Sequence, residues 1–353
     1  MTDASAPRPA AGGGTPAIAW SWPAAGRGAL FALPAALVAA HDPGRGLALA
    51  VGVLPAALIG LPATRRARLG LPVAGLCVGL PMVLGSLLSH HDLLAVSGVF
   101  AFAVVAAQLA ARRRLGMVVM SLCLPMVGAG LSYRDLGQAA GFAVLILCGS
   151  LYAYLLTLLW PERPAPAGAD PPALMDRRTA LGYGLRLGGC GASAAACGLA
   201  LAPTHPGWPV TAALLVMRPA PDMQRLRSVG RVLSVFAGGA VALLLLRADP
   251  PDWGYAPACL GAIVLAAATH GSRWYLAPAY TSLLVLLMLL HADPAQAHGR
   301  FNERVTASVV GVALAYLFGL LLPRLTDRRH GCRGSAPSSA APPSAAPPSA
   351  APP

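Results

Sequence analysis

Long apolar stretches separated by short polar segments make up most of this chain. A helix needs about 20 apolar residues to cross a bilayer, with a range of about 17 to 25. With charged residues, proline and glycine as breaks, the pattern predicts twelve spans, six in each half of the chain. The predicted spans cover residues 28–41, 46–62, 69–89, 93–111, 115–132, 136–160, 179–202, 206–219, 229–246, 254–270, 274–291 and 303–322. The sequence therefore predicts an all-α polytopic membrane protein.

Composition agrees with a membrane protein. Only 11% of the residues are charged, whereas soluble domains carry about 25%. A net charge of +13 is also typical of nucleic-acid-binding proteins, but here the arginines occur in short clusters between apolar runs, which excludes nucleic acid as a partner. None of the seven cysteines belongs to a CxxC pair, so the sequence predicts no disulfide framework, metal site or cofactor.

Arginine placement predicts the orientation. With the amino terminus inside the cell, most arginines fall in inner loops, as the positive-inside rule requires. Both termini are then cytoplasmic, and the expected location is the plasma or inner membrane. The inner clusters are Arg65, Arg66 and Arg68, then Arg112, Arg113 and Arg114, then Arg218, Arg225 and Arg227.

The chain is predicted to consist of two six-helix repeats. A polar, proline-rich stretch separates two halves of similar layout, and His41 and His205 stand at the same outer turn of each half. An even number of spans per repeat relates the halves by an axis along the membrane normal. The predicted parts are a disordered leader at 1–26, the first repeat at 27–160, a cytoplasmic linker at 161–178, the second repeat at 179–323 and a disordered cytoplasmic tail rich in Ala, Pro and Ser at 324–353.

The eighth predicted span is unusually short. Arg218 follows His205 by thirteen positions, which is about 20 Å of helix against a hydrocarbon core of about 30 Å. Pro209 lies near its start, and the matching span of the first half contains Pro55. Short, proline-interrupted spans in matching places of two repeats indicate the central site of a transporter. A kinked packing helix is the alternative interpretation.

A set of residues around this span resembles a family signature: Trp208, Thr211, Arg218, Pro219, Arg227, Arg231 and Gly238. The family is the FUSC family of fusaric-acid-resistance and aromatic-acid-exporter membrane transporters. The resemblance implies export of small organic or aromatic acids at the expense of the proton gradient.

Arginines are the candidates for binding such a substrate. Arg227 and Arg231 lie one helical turn apart, and a guanidinium group matches a carboxylate with two hydrogen bonds. Anchoring to anionic lipid head groups is the alternative role. Arg186 is predicted to lie about 12 Å into the seventh span, where a charge indicates function unless it snorkels. The predicted substrate pathway consists of Arg186, His205, Trp208, Thr211, Arg218, Arg227 and Arg231.

Acidic residues are predicted to lie outside the membrane interior. None of the thirteen Asp and Glu residues falls in the middle of a predicted span, and Glu303 is assigned to an outer loop. The sequence therefore predicts no embedded carboxylate relay. If protons drive transport, the outer histidines His41, His205 and His291 are the candidates, because histidine titrates near neutral pH.

Other functions remain open from the sequence. A passive organic-anion channel and a non-transporting membrane scaffold both fit the layout. An enzyme does not fit, because the sequence has no Walker loop, GxSxG, HExxH or paired carboxylates. The expected partners are the lipid bilayer and a small organic acid. A homo-oligomer is compatible with the sequence, which identifies no periplasmic adaptor.

Overall fold

A computed structural model describes residues 18–164, 174–201, 204–219, 221–248, 250–272, 276–291 and 296–324. Throughout these ranges the regular structure is helical, and no strand is present. The first seventeen residues of the predicted leader, the middle of the predicted linker and almost all of the predicted tail lie outside the described residues.

The first half of the chain contains helices α1 to α8. Their bounds are α1 Trp22–Ala39, α2 Pro43–Ile59, α3 Arg65–Arg68, α4 Gly70–Leu88, α5 Asp92–Arg112, α6 Arg114–Val118, α7 Leu124–Gly130 and α8 Leu136–Thr157. A π-helical turn at Val119–Cys123 joins α6 to α7. Ser21 caps α1, since its hydroxyl accepts from the backbone N–H of Ala24.

The second half contains α9 to α14. Their bounds are α9 Arg177–Leu201, α10 Gly207–Val216, α11 Pro221–Arg247, α12 Tyr255–Ala268, α13 Leu276–His291 and α14 Ala297–Tyr316. A π-helical turn at Leu317–Leu321 continues α14.

Seven helical stretches of the described chain are long and apolar enough to cross a membrane. They are Trp22–Ala39, Arg65–Leu88, Asp92–Arg112, Leu136–Thr157, Arg177–Leu201, Gln224–Arg247 and Ala297–Arg324. Large apolar side chains such as Leu80 and Leu93 cover the outer surface, as expected where lipid is the solvent. The prediction of an all-helical, multi-pass membrane protein is confirmed. The count of twelve crossings stays a prediction, because the five other apolar helices have only 10–17 residues.

Three helices begin six or more residues earlier than the sequence predicted. Helix α1 begins at Trp22, inside the predicted leader, and α11 begins at Pro221, so Arg225 and Arg227 are helical rather than in a loop. Helix α14 begins at Ala297, which places Glu303 and Arg304 inside the helix. The assignment of Glu303 to an outer loop was therefore wrong. A charged residue in the sequence indicates a break between spans, but a helix tolerates such a residue where neighbouring protein surrounds it.

The two halves of the chain interlock. Helix α1, the first helix of the first half, packs against α12 of the second half. Helix α9, the first helix of the second half, packs against α5 of the first half. Within the halves, α2 packs on α8 and α10 packs on α14. Helices α2 and α10 also contact the opposite half, since α2 contacts α13 and α10 contacts α7.

Helix α10 is enclosed by protein. Nine of its ten residues are buried, and Val210 and Leu214 belong to the core that α5, α7 and α9 build around it. A Cβ atom at Gly207 would overlap the carbonyl oxygen of Gly128, so α10 and α7 meet backbone to backbone. A short helix at membrane depth is tolerated when it is buried in protein, and α10 meets that condition.

Candidate functional site

Helix α10 presents a different group of polar side chains at each of its ends. Its ten residues form a helix about 15 Å long. His205 and Trp208 lie at the amino end, where α14 packs against it. Met217 and Arg218 follow the carboxyl end, near the start of α11.

At the amino end, His205 holds the carboxylate of Glu303 in two places. The backbone N–H of His205 donates to Glu303 Oε1 at 3.0 Å, and the ring Nδ1 donates to Oε2 at 3.0 Å. Burial lowers the pKa of His205 below its usual 6.5, although the nearby carboxylate acts in the opposite direction. The contact has ion-pair geometry, but the lowered pKa of His205 favours a neutral imidazole that donates from Nδ1 to Glu303 Oε2.

Trp208 connects this pair to an arginine. The His205 ring stacks on the indole with 4.0 Å between centroids and 12° between planes. The Cζ atom of Arg304 lies 4.9 Å from the centroid of the Trp208 ring, which is within cation–π range. Trp208 is buried, so this guanidinium group is held against a ring that is shielded from water.

A second buried arginine faces Arg304. Arg231 on α11 is 8% exposed and Arg304 on α14 is 7% exposed, and the two positive charges are close enough to repel each other. The Nε atom of Arg231 is buried and has no hydrogen-bond partner in the described part of the chain. Glu303 compensates Arg304 in part. The group thus contains two guanidinium ions and one carboxylate.

Arg218, Arg227 and Arg186 belong to the group at the carboxyl end of α10. Arg218 Nη1 donates to the Met217 carbonyl at 3.0 Å, and Tyr183 Oη donates to the same oxygen at 3.3 Å. Burial, with repulsion from Arg227, lowers the pKa of Arg218 to about 10. Arg186 also acts on Tyr183, but it is only partly buried and its Nε donates to Gly182 of its own helix at 3.2 Å.

The remaining predicted residues occupy other positions. The Thr211 hydroxyl donates to the carbonyl oxygens of Gly207 and Pro125, at 3.0 and 3.2 Å, so it joins α10 to α7. His41 lies exposed in the turn between α1 and α2. His291 ends α13 and packs edge-on against Tyr255, with 4.7 Å between ring centroids. Of the three candidate histidines, His205 is the one whose ring contacts Glu303 and Trp208.

A cavity of about 190 Å³ opens beside the amino end of α10. It lies between α9, α10 and α14, and Glu303 is its acidic side chain. Its other lining residues are Cys197, Leu201, Pro209, Thr306, Ala307 and Val310. Most ligand pockets measure about 300–1,000 Å³, so this cavity suits a molecule with a single ring.

Three residues of this region were not singled out from the sequence as part of a site. Glu303 and Arg304 form an adjacent acid–base pair in the first turns of an apolar helix, and that position was the available signal. Tyr133 lies in the turn before α8, near Arg304. Burial raises the pKa of Tyr133 to about 12, so this phenol is neutral at physiological pH; no sequence signal marks it.

No group of three or more His, Cys, Asp or Glu side chains in the described ranges could hold a metal ion. The polar groups around α10 consist instead of guanidinium ions, one carboxylate, one imidazole and aromatic rings. Such a set can bind an organic anion.

Comparison with protein families finds a match in the second half of the chain. A family described as fusaric acid resistance protein-like matches residues 192–323, which contain all of α10, α11 and α14. Comparisons with curated proteins and with solved structures give no match. Residues 192–323 of the chain are therefore similar to the fusaric acid resistance protein-like family, as the sequence resemblance predicts.

Proposed function

We propose that the protein exports small organic-acid anions and that Arg231 and Arg304 bind them. The observation that carries this proposal is the buried arginine pair, which a single carboxylate accompanies. Similarity to the fusaric acid resistance protein-like family supports a transporter, while the substrate class rests on the chemistry of the site.

The physical reason is charge compensation. A charge inside a membrane protein is costly unless it is paired or faces a water-filled cavity. Arg231 and Arg304 carry two positive charges, and Glu303 returns only one negative charge. A substrate carboxylate supplies the second and accepts hydrogen bonds from a guanidinium group in a bidentate geometry.

The arginines at the other end of α10 would form the entrance for the substrate. Arg218 and Arg227 lie near each other beside Met217, and the predicted orientation puts this end on the cytoplasmic side. An anion collected there would move about 15 Å, the length of α10, to reach Arg304. Arg186, which is partly exposed near Tyr183, would belong to the same entrance.

We also propose that the chain consists of two six-helix repeats, with the domain bounds and cytoplasmic termini predicted from the sequence. The helix contacts support this because three contacts made by helices of the first half have counterparts made by the corresponding helices of the second half. The α1–α12 contact corresponds to α9–α5, α2–α8 to α10–α14, and α2–α13 to α10–α7. In the first half a Cβ atom at Gly52 would overlap the Ile146 carbonyl oxygen, so α2 and α8 meet backbone to backbone. The pathway is assigned to the second half because the buried arginines Arg231 and Arg304 lie there.

Proton coupling is assigned to His205. It is the candidate histidine with a buried ring in contact with a carboxylate, whereas His41 is exposed in a turn. The inner or plasma membrane, the bilayer as partner and a homo-oligomeric state complete the proposal as the sequence predicts them.

The test is uptake of labelled benzoate and related carboxylates into inverted membrane vesicles, with and without an imposed pH gradient. Wild-type protein should accumulate an acid in a saturable way, and Arg231→Met or Arg304→Met should abolish accumulation. The matched control is Arg225→Met, because Arg225 lies on the same helix as Arg231 but is exposed. Normal uptake by Arg231→Met protein that is folded in the membrane would contradict the assignment of the site.

The same experiment separates the two alternatives that the sequence leaves open. Flux that follows the membrane voltage alone and does not saturate would identify a passive organic-anion channel, for which the buried arginines would serve equally well. No flux of any tested acid would favour a membrane scaffold. Either result would replace the exporter proposal.

A further inference from the structure

The charge of the site around Trp208 depends on one acidic residue. Arg231 and Arg304 contribute two positive charges, and Glu303 contributes one negative charge when it is ionised. Burial keeps the pKa of His205 below 6.5, so its ring is neutral above that pH, and Tyr133, with a pKa of about 12, is neutral too. The buried groups therefore carry one net positive charge at neutral pH.

We propose that Glu303, held in place by His205, sets the valence of the anion that this site accepts. With Glu303 ionised and His205 neutral, the site is compensated by one monocarboxylate. Once the His205–Glu303 pair has gained a proton, the net charge is two and a dicarboxylate compensates it. This inference rests on the proposed function and adds the determinant of its substrate class.

The geometry gives Glu303 this role. Both of its oxygens are fixed by His205, at 3.0 Å each, so the carboxylate cannot turn away from the site. It is the neighbour of Arg304 on α14 and acts on it electrostatically. It also lines the cavity of about 190 Å³ beside the amino end of α10.

Other charged groups near the site lie on α14 and α11. On α14, Arg300 also acts on His205; it is partly exposed and is not counted among the buried charges. On α9, the cavity is lined by Cys197 and Leu201, neither of which is charged at neutral pH. On α11, Arg227 lies one helical turn before Arg231. Arg227 acts on Arg218, so it belongs to the group at the carboxyl end of α10. Within the described chain, Glu303 is thus the acidic side chain that acts on both His205 and Arg304.

The size of the effect follows from Coulomb interaction in a protein interior. A unit charge several ångströms away, at an effective dielectric constant of about 20, changes the affinity for a second charge on the order of 10- to 100-fold. Neutralising Glu303 should therefore strengthen binding of a dianion over a monoanion by about that factor.

The experiment compares benzoate with terephthalate, which share one ring and differ by one carboxylate. Equilibrium binding to the purified full-length protein at about pH 8, where His205 is neutral, should favour benzoate at least about tenfold. The Glu303→Gln variant, which keeps the side-chain shape, should reverse the preference. Glu162→Gln is the matched control, because Glu162 is an exposed acid that accepts a hydrogen bond from the Arg65 backbone.

A second measurement needs no change at Glu303. Benzenesulfonate and benzene-1,4-disulfonate stay ionised in mild acid, so a pH-dependent change in their relative affinity reports on the protein. Wild-type protein should shift towards the disulfonate as the pH falls from about 8 to about 5, where histidine gains a proton. The shift should be absent in His205→Gln.

The outcomes separate the two proposals. If benzoate binds in an Arg231-dependent manner, while Glu303→Gln keeps the wild-type ratio and the wild-type protein shows no shift with pH, the valence inference is overturned and the anion site stands. If wild-type protein binds neither benzoate nor terephthalate, the proposed function itself fails. Reversal of the preference in Glu303→Gln but not in Glu162→Gln supports the inference.

Discussion

Replacing Arg231 by methionine should stabilise the protein while it destroys anion binding. Arg231 is buried, its Nε has no hydrogen-bond partner in the described ranges, and its charge repels Arg304. An arginine kept for structure would instead be fully hydrogen-bonded. Methionine fills similar space with a flexible, apolar side chain, so the change removes the charge with little loss of packing.

The magnitude follows from buried ionic groups in other proteins. Replacing such groups by apolar residues of similar volume stabilises by about 1–4 kcal/mol. One kcal/mol corresponds to about 2–4 °C in the unfolding midpoint of a domain of about 150–250 residues. At about 2 °C per kcal/mol, the unfolding midpoint of Arg231→Met should therefore rise by about 2–8 °C. It should be visible in the thermal unfolding of the detergent-purified protein without added anion.

Arg68→Met is the matched control, with the opposite expected sign. The Arg68 guanidinium is fully buried and donates to four carbonyl oxygens at 2.7–3.1 Å, three of which follow the end of α8 or lie in its last turn. Its removal leaves those carbonyls unsatisfied and should cost about 3–5 kcal/mol. If Arg231→Met lowered the midpoint as Arg68→Met does, Arg231 would be a structural residue and the anion-site argument would be refuted.

Two further predictions concern the same region. Because the folded-state pKa of His205 lies below its unfolded value of about 6.5, the stability from this neutral contact is complete above about pH 6.5 and is lost as the pH falls through the folded pKa. Between about pH 8 and about pH 5, the unfolding midpoint should therefore fall less in His205→Gln than in wild type. Equal decreases in the two proteins would contradict the assignment of a neutral His205 in this contact. Gly311→Ala would place a Cβ atom 2.6 Å from the Pro209 carbonyl oxygen and should cost about 1–3 kcal/mol. Gly299→Ala on the same helix meets open space and should not lower the unfolding midpoint.

The membrane class and most helices could be predicted because they depend on local apolar length. Ends of spans that carry no charge were placed well. The predicted span 69–89 corresponds to Gly70–Leu88, and 254–270 corresponds to Tyr255–Ala268. Errors arose where a charged residue lies inside a helix, as at Glu303. Whether such a residue ends the helix or is buried within it depends on α10 and α11, which a local pattern does not contain.

The candidate site was predictable only in part for a related reason. The family signature marked Trp208 and Arg231, which do lie in the group around Arg304. It also marked Thr211, whose hydroxyl is used in contacts to backbone carbonyls. The signature fixes residue types along one segment, whereas the charge balance of the site depends on α14, about 70 residues further along the chain.

The two halves show why an arginine after a proline does not by itself identify a binding residue. In the first half, Arg68 donates to the Thr157 carbonyl at the end of α8. In the second half, Gln224 donates to the Ala315 carbonyl near the end of α14, at 2.5 Å. In the proposed repeat these helix ends correspond, so a neutral amide has the capping role that an arginine has in the first half. Because the amide satisfies that carbonyl, the arginines of α11 are not needed there, and Arg231 is left facing Arg304 with its charge uncompensated. An anion site could therefore arise in one repeat without loss of the contact that holds the helix end in the other.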